Sequence, residues 1–195
     1  MAWEIPIAAG AAIALSPPLA RVVSLAAVRE PPFRLFTAVN AAVAVSLWAG
    51  TGHADALQRT ALTLTALAVI PAVWIDLYLQ RLPNVLVLTP YPLVGACVAA
   101  TARPDAMIRC ALAAGAAIAI HAAGVALGQM GAGDAKLAGV LAMGLAWDGY
   151  APAVVAGVAA VVAGGATALA ARGGRVIPYG PALALGAWAG LVLAM

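Results

Sequence analysis

Long apolar runs, broken by short polar interruptions, set the pattern of this chain. Judged by the roughly 20 residues that a helix needs to cross a bilayer core, the runs predict about eight spans. They are Ile5 to Val28, Leu35 to Gly50, Thr60 to Ile75, Val85 to Ala102, Met107 to Leu127, Leu137 to Trp147, Ala151 to Ala171 and Pro178 to Leu193. The second, third and above all the sixth are short for a full crossing, so flanking loop residues are expected to dip into the membrane boundary. The expected fold is all-α, a polytopic transmembrane helix bundle. No fixed-period repeat and no Ser- or Pro-rich linker divides it, so residues 1–195 read as a single integral membrane domain.

Composition agrees. The chain is 65% hydrophobic and 9% charged, whereas soluble domains are roughly 25% charged. Its mean hydropathy is +1.03, and 195 residues leave no room for a sizeable soluble domain beside the spans. The net charge of +3 is carried by scattered basic residues rather than one run, which argues for membrane orientation and against a nucleic-acid partner. Arg29, Arg34, Arg81, Lys136, Arg172 and Arg175 fall on one side of the alternating connections, and Arg59, Arg103 and Arg109 on the other. The positive-inside rule makes the first group cytoplasmic. Trp3, Trp48 and Trp147 then lie at outer ends and Trp74 at an inner one, as an aromatic belt requires, with Trp188 nearer mid-span. The first apolar stretch opens on Glu4 and runs into Pro17, Pro18 and Arg21; it lacks a basic start and a small-residue cleavage site, and reads as a retained span. The small residues of Ala113 to Ala117, and Gly157, Gly164 and Gly165, are expected to let helix backbones approach closely.

Two polar islands interrupt this pattern with chemistry. Asp76 is followed by Arg81-Leu82-Pro83-Asn84, and Gly131-Ala132-Gly133 leads into Asp134, Ala135, Lys136 and Leu137. Each places a carboxylate beside a predicted helix end, where an ionisable group is costly and marks a site. Both fall on the face predicted to be cytoplasmic, and two aspartates suffice for acid/base hydrolysis of a peptide without a metal. In the first island Pro83 stops the helix and Asn84 is placed to cap the one beginning at Val85. Read alone, Asp76 is balanced between catalysis and an ion pair with Arg81 across the loop. In the second, Gly131 and Gly133 predict a backbone free to take conformations closed to other residues, and Asp134 begins a helix whose dipole favours its ionised form.

Asp76 with Leu82-Pro83-Asn84, and Gly128-Gln129-Met130-Gly131-Ala132-Gly133-Asp134-Ala135-Lys136-Leu137, resemble the type IV prepilin peptidases, intramembrane aspartic proteases of the GxGD type. Ile177-Pro178-Tyr179-Gly180-Pro181-Ala182-Leu183 is similar to the Pro-aromatic-Gly-Pro segment that opens the last helix in that family. The resemblance covers most of the chain from Asp76 onward and implies an aspartic endopeptidase of a bacterial or archaeal cytoplasmic membrane. Such an enzyme cuts the basic leader from prepilins or pseudopilins at the cytoplasmic face, with Asp76 and Asp134 as the catalytic pair and no cofactor. Gly131, Gly133, Pro83 and Asn84 would shape the loops. Lys136 would either attract an acidic residue of the substrate or, the preferred reading, snorkel to lipid headgroups.

The chain departs from the long members of the family. The connection around Arg29-Glu30-Pro31-Pro32 is too short for their paired CxxC insertion, so no zinc site can be built there. Methylation of the new pilin N-terminus is accordingly not expected, in keeping with the short enzymes of Flp or tight-adherence pili. Cys97 and Cys110 read as small packing residues toward the outer face, their pairing left open. His53 is expected in solvent, and His121, 13 positions before Asp134, lies about 20 Å from it along a continuous helix, too far for a direct catalytic bond unless the helix bends or breaks, so that a helix-packing hydrogen bond is expected. Two other readings remain: a transporter or channel, which would place its carboxylates near mid-membrane, and a structural subunit without chemistry.

Overall fold

The computed structural model describes residues 4–27, 29–51, 54–171 and 177–194; the expectations for Trp3, His53, Arg172 and Arg175 lie outside the described residues. Eight helical stretches follow in order, the fourth in two pieces. These are α1 (Glu4–Ala27), α2 (Phe33–Gly50), α3 (Ala56–Leu79), α4 (Asn84–Leu88) with α5 (Pro90–Ala100), α6 (Pro104–Ala126), α7 (Ala132–Leu145), α8 (Ala151–Ala170) and α9 (Gly180–Ala194). All described regular structure is helical. The helices over Ile5–Ala27, Ala56–Leu79, Pro104–Ala126 and Ala151–Ala170 are long and apolar enough to cross a membrane, and the chain is a multi-pass membrane protein.

Each predicted span contains a helix, but two begin or end well beyond the apolar run. α3 starts at Ala56 because the Asp55 side chain accepts the Gln58 amide at 2.6 Å, an N-cap that hydropathy reads only as a polar break. It ends at Gln80, left-handed at φ 52°, whose N–H donates to the Asp76 carbonyl. Asp76 therefore lies in the last turn of a helix rather than beyond its end. The fourth span divides at Pro90, which has no amide to bond back.

α7, at the centre of the bundle, is short for a spanning helix. Its 14 residues reach about 21 Å, short of the roughly 30 Å hydrocarbon core. Leu137, Ala138 and Val140 pack with Val69 of α3, Val87 of α4, Ala160 of α8 and Leu183 of α9. Arg109 of α6 closes its end, donating to the Ala146 carbonyl at 3.0 Å and to that of Trp147, the two carbonyls that follow the helix. Arg103 joins the same corner through Asp148 at 2.9 Å. Trp147 is fully buried against Ala61, Val94, Val98, Ala106 and Cys110. It is a core residue rather than part of an aromatic belt, because α7 stops inside the bundle. Cys97 packs on the same cluster, and both cysteines are free thiols.

At the other end of the chain, Asn40 Nδ2 of α2 donates to Ser16 Oγ of α1 at 2.9 Å, a buried bond that fastens the first two helices. The Ala113 to Ala117 run does pack closely, Ala113 and Ala117 lying on Ala142 and Ala146, but the glycines expected to do the same are not the ones that matter to backbone approach. A Cβ at Gly115, Gly157 or Gly165 would meet nothing within 4 Å, whereas one at Gly186 or Gly190 would run into the α8 carbonyls of Ala156 and Pro152. These carbonyls are backbone and cannot turn aside. Gly186→Ala is expected to force α8 and α9 apart and cost about 1–3 kcal/mol, read as a lower melting temperature in detergent, while Gly165→Ala leaves it unchanged.

Candidate active site

The two islands meet at one end of the bundle. Asp76 is 3% and Asp134 8% exposed, and the two carboxylates lie within electrostatic reach of each other. Asp76 Oδ2 accepts the Gly180 amide at 2.9 Å across 104 positions of sequence. Gly180 opens α9, so this amide is one of the N–H groups a helix start leaves unpaired. A Cβ on Gly180 would sit 2.8 Å from Asp76 Oδ2, which is why the smallest residue stands there. The ion pair with Arg81 that a reading of the loop allows is not formed: Arg81 is exposed, and the ion pairs among the described residues join Arg103, Asp105, Arg109 and Asp148.

Asp134 occupies the third position of α7 and turns back on its own helix start. Its Oδ2 accepts the Gly131 amide at 2.9 Å, while its own amide donates to the Gly131 carbonyl. The glycines of this island act through space rather than through unusual backbone. Gly128 is the glycine with positive φ, at 70°, among the described residues. Gly131 has φ −83°. Gly133 matters because a Cβ there would come 2.9 Å from Leu82 Cβ, so its absence lets the first turn of α7 sit against the other island.

Lys136 links the two islands. Its Nζ donates to Asn84 Oδ1 at 2.9 Å, and its carbonyl accepts the Tyr91 hydroxyl at 2.7 Å. The Asn84 side chain is thereby committed across the islands and makes no helix cap; Pro83 is the residue ahead of α4, with no side-chain bond. Tyr91, which sequence reading passes over, braces α7 from α5, and Gly139 leaves the space its hydroxyl occupies. The island residues Pro83, Asn84, Gly131, Gly133 and Lys136 thus all lie at the junction of the two loops.

Between His121 and Asp134 the helix breaks. α6 ends at Ala126 and the chain doubles back into α7 at Ala132, so the separation along the chain folds up. His121 is 7% exposed and within electrostatic reach of Asp134. Its Nδ1 lies 2.8 Å from the Ala117 carbonyl of its own helix, rather than bonding across helices. Its ring packs 6.0 Å, centroid to centroid, from that of Tyr179. Consecutive residues ahead of and at the start of α9 therefore reach both sides of the site, Gly180 to Asp76 and Tyr179 to His121.

Along α3 from Asp76 runs an apolar cavity of about 150 Å³, bounded by α2, α7 and α9. Its described lining carries no charged side chain.

The model of the type IV leader peptidase family matches residues 61–169, more than half of the chain and inclusive of both islands and His121. No curated protein and no solved structure matches it. With that match over the stretch that builds the paired-carboxylate site, the chain belongs to the type IV leader peptidase family.

Proposed function

We propose that this peptidase is an intramembrane aspartic endopeptidase that removes the leader of a prepilin or pseudopilin, with Asp76 and Asp134 as its acid/base pair. The supporting observation is that two buried carboxylates from different helices lie within electrostatic reach, each with one oxygen held by a backbone amide. A fixed oxygen on each side leaves the other oxygen for substrate and water.

Like charges confined together favour one shared proton, so one carboxylate is base and the other acid. The base takes a proton from water as the water oxygen bonds to the scissile carbonyl carbon. The acid gives its proton to the carbonyl oxygen, forming a gem-diol. The first proton then passes to the amide nitrogen, the C–N bond breaks, and a diol proton returns to the acid. The pair titrates as a unit, so the two roles belong to the pair. Gly131, Gly133, Pro83, Asn84 and Lys136 shape the two loops around it.

The rest of the reading follows the charge pattern. Residues 1–195 act as one membrane domain surrounded by lipid, with the aspartates at the cytoplasmic face of a bacterial or archaeal membrane. No cofactor is needed for the chemistry, and the short α1–α2 connection supports cleavage without methyl transfer. A transporter is disfavoured by the apolar lining of the cavity beside α3, where an ion or polar solute would need charge or broken helices.

The test is purified protein in liposomes with a substrate carrying a basic leader, a glycine and a long apolar helix, its products mapped by mass spectrometry. A single cut after the glycine is expected, and no methylated product on adding S-adenosylmethionine. Intact substrate at all enzyme concentrations, with a panel of such leaders, would overturn the reading.

A further inference from the structure

His121 is an unexpected polar group at the buried side of the site. The Ala117 carbonyl can only accept, so in the neutral ring the proton sits on Nδ1 and Nε2 keeps its lone pair. The ring borders a cavity of about 40 Å³ between α6, α7, α8 and α9, where it is the sole polar side chain among the described lining residues. That volume is enough for one water. α8 presents only Ala153, Ala156 and Gly157 to this space. Where α6 lies against α7, Ile118 fills the space left by Gly139, so His121, about one turn further along α6, stands beside the first turn of α7 that carries Asp134, and the Tyr179 ring ahead of α9 lies 6.0 Å from its own. The Tyr179 ring is itself seated on Gly164, where a Cβ would collide with it. A helix that merely needed filling here could use an apolar residue, as its neighbours do.

We propose that His121 is a positioning residue for Asp134, forming with Tyr179 the buried polar wall behind that carboxylate. The inference rests on the reading of Asp134 as half of the acid/base pair. His121→Phe keeps an aromatic ring against Tyr179 and loses both nitrogens; His121→Gln loses the ring and keeps a donor and an acceptor.

If the nitrogens matter, kcat falls about tenfold or more in His121→Phe, with KM within about twofold and an unchanged melting temperature. His121→Gln then stays within about threefold of wild type. Tyr179→Phe lowers kcat as well, and combining it with His121→Phe costs less than the product of the two, because they act on one carboxylate. Wild-type kcat in His121→Phe overturns the inference, as does equal loss in the Phe and Gln variants tracking a lowered melting temperature. If His121→Phe does not assemble, wild-type kcat in Tyr179→Phe overturns it. Asp134→Asn is run alongside: if that variant cleaves normally, the acid/base assignment has failed; if it is inactive while His121→Phe is unimpaired, only the role of His121 has.

Discussion

Asparagine at Asp76 or at Asp134 is expected to lower leader cleavage by about a thousandfold, with the double variant no worse than either single one. General acid or base catalysis by one group contributes roughly 10²–10⁴-fold. The loss is not additive because the two carboxylates handle the same protons, and removing either disables the cycle. The substitution is mild structurally. An asparagine oxygen can still accept the Gly180 amide at position 76 or the Gly131 amide at position 134, so melting temperatures stay near wild type. Initial rates on a reconstituted leader substrate, at matched protein amounts, read the effect. Either single variant retaining more than about a tenth of wild-type activity would remove its aspartate from the acid/base role.

Gly180→Ala is expected to produce the second largest loss, about 30- to 100-fold in kcat, without unfolding the protein. The added methyl comes 2.8 Å from Asp76 Oδ2 and 3.3 Å from its Cγ. What yields is the end of a side chain, not backbone, so α9 stays in place while the carboxylate swings off its amide. A displacement of about an ångström at reacting groups costs on the order of a hundredfold. The contrast with Gly186→Ala separates the two consequences of crowding: the first takes activity at constant melting temperature, the second takes stability because α8 carbonyls cannot move. Unchanged kcat in Gly180→Ala would show that Asp76 does not depend on that bond.

The islands were legible because ionisable residues beside Gly and Pro stand out in an apolar chain. The helix order was legible from run length for the same reason. What escaped was set by geometry that hydropathy does not encode. The end of α3 moved past Asp76 because helical hydrogen bonding continues through Tyr78 and Leu79 until Gln80 turns left-handed. Distance along α6 misjudged His121 because the reversal after Ala126 returns the chain to it. Trp147 has the composition of an interface residue, and only the shortness of α7 puts it in the core. The Tyr179-Gly180 pair could be recognised as a motif but not assigned to its aspartates, since Gly180 and Asp76 are 104 positions apart.

The two carboxylates also differ in how far they reach for support. Asp134 is held by Gly131, three positions away, through a bond that forms with the first turn of α7. Asp76 waits for Gly180, at the start of the final helix. Both carboxylates precede in sequence the residue that holds one of them. On the proposed assignment, a chain cut before Gly180 is expected to leave the Asp76 carboxylate without its amide and to lose leader cleavage.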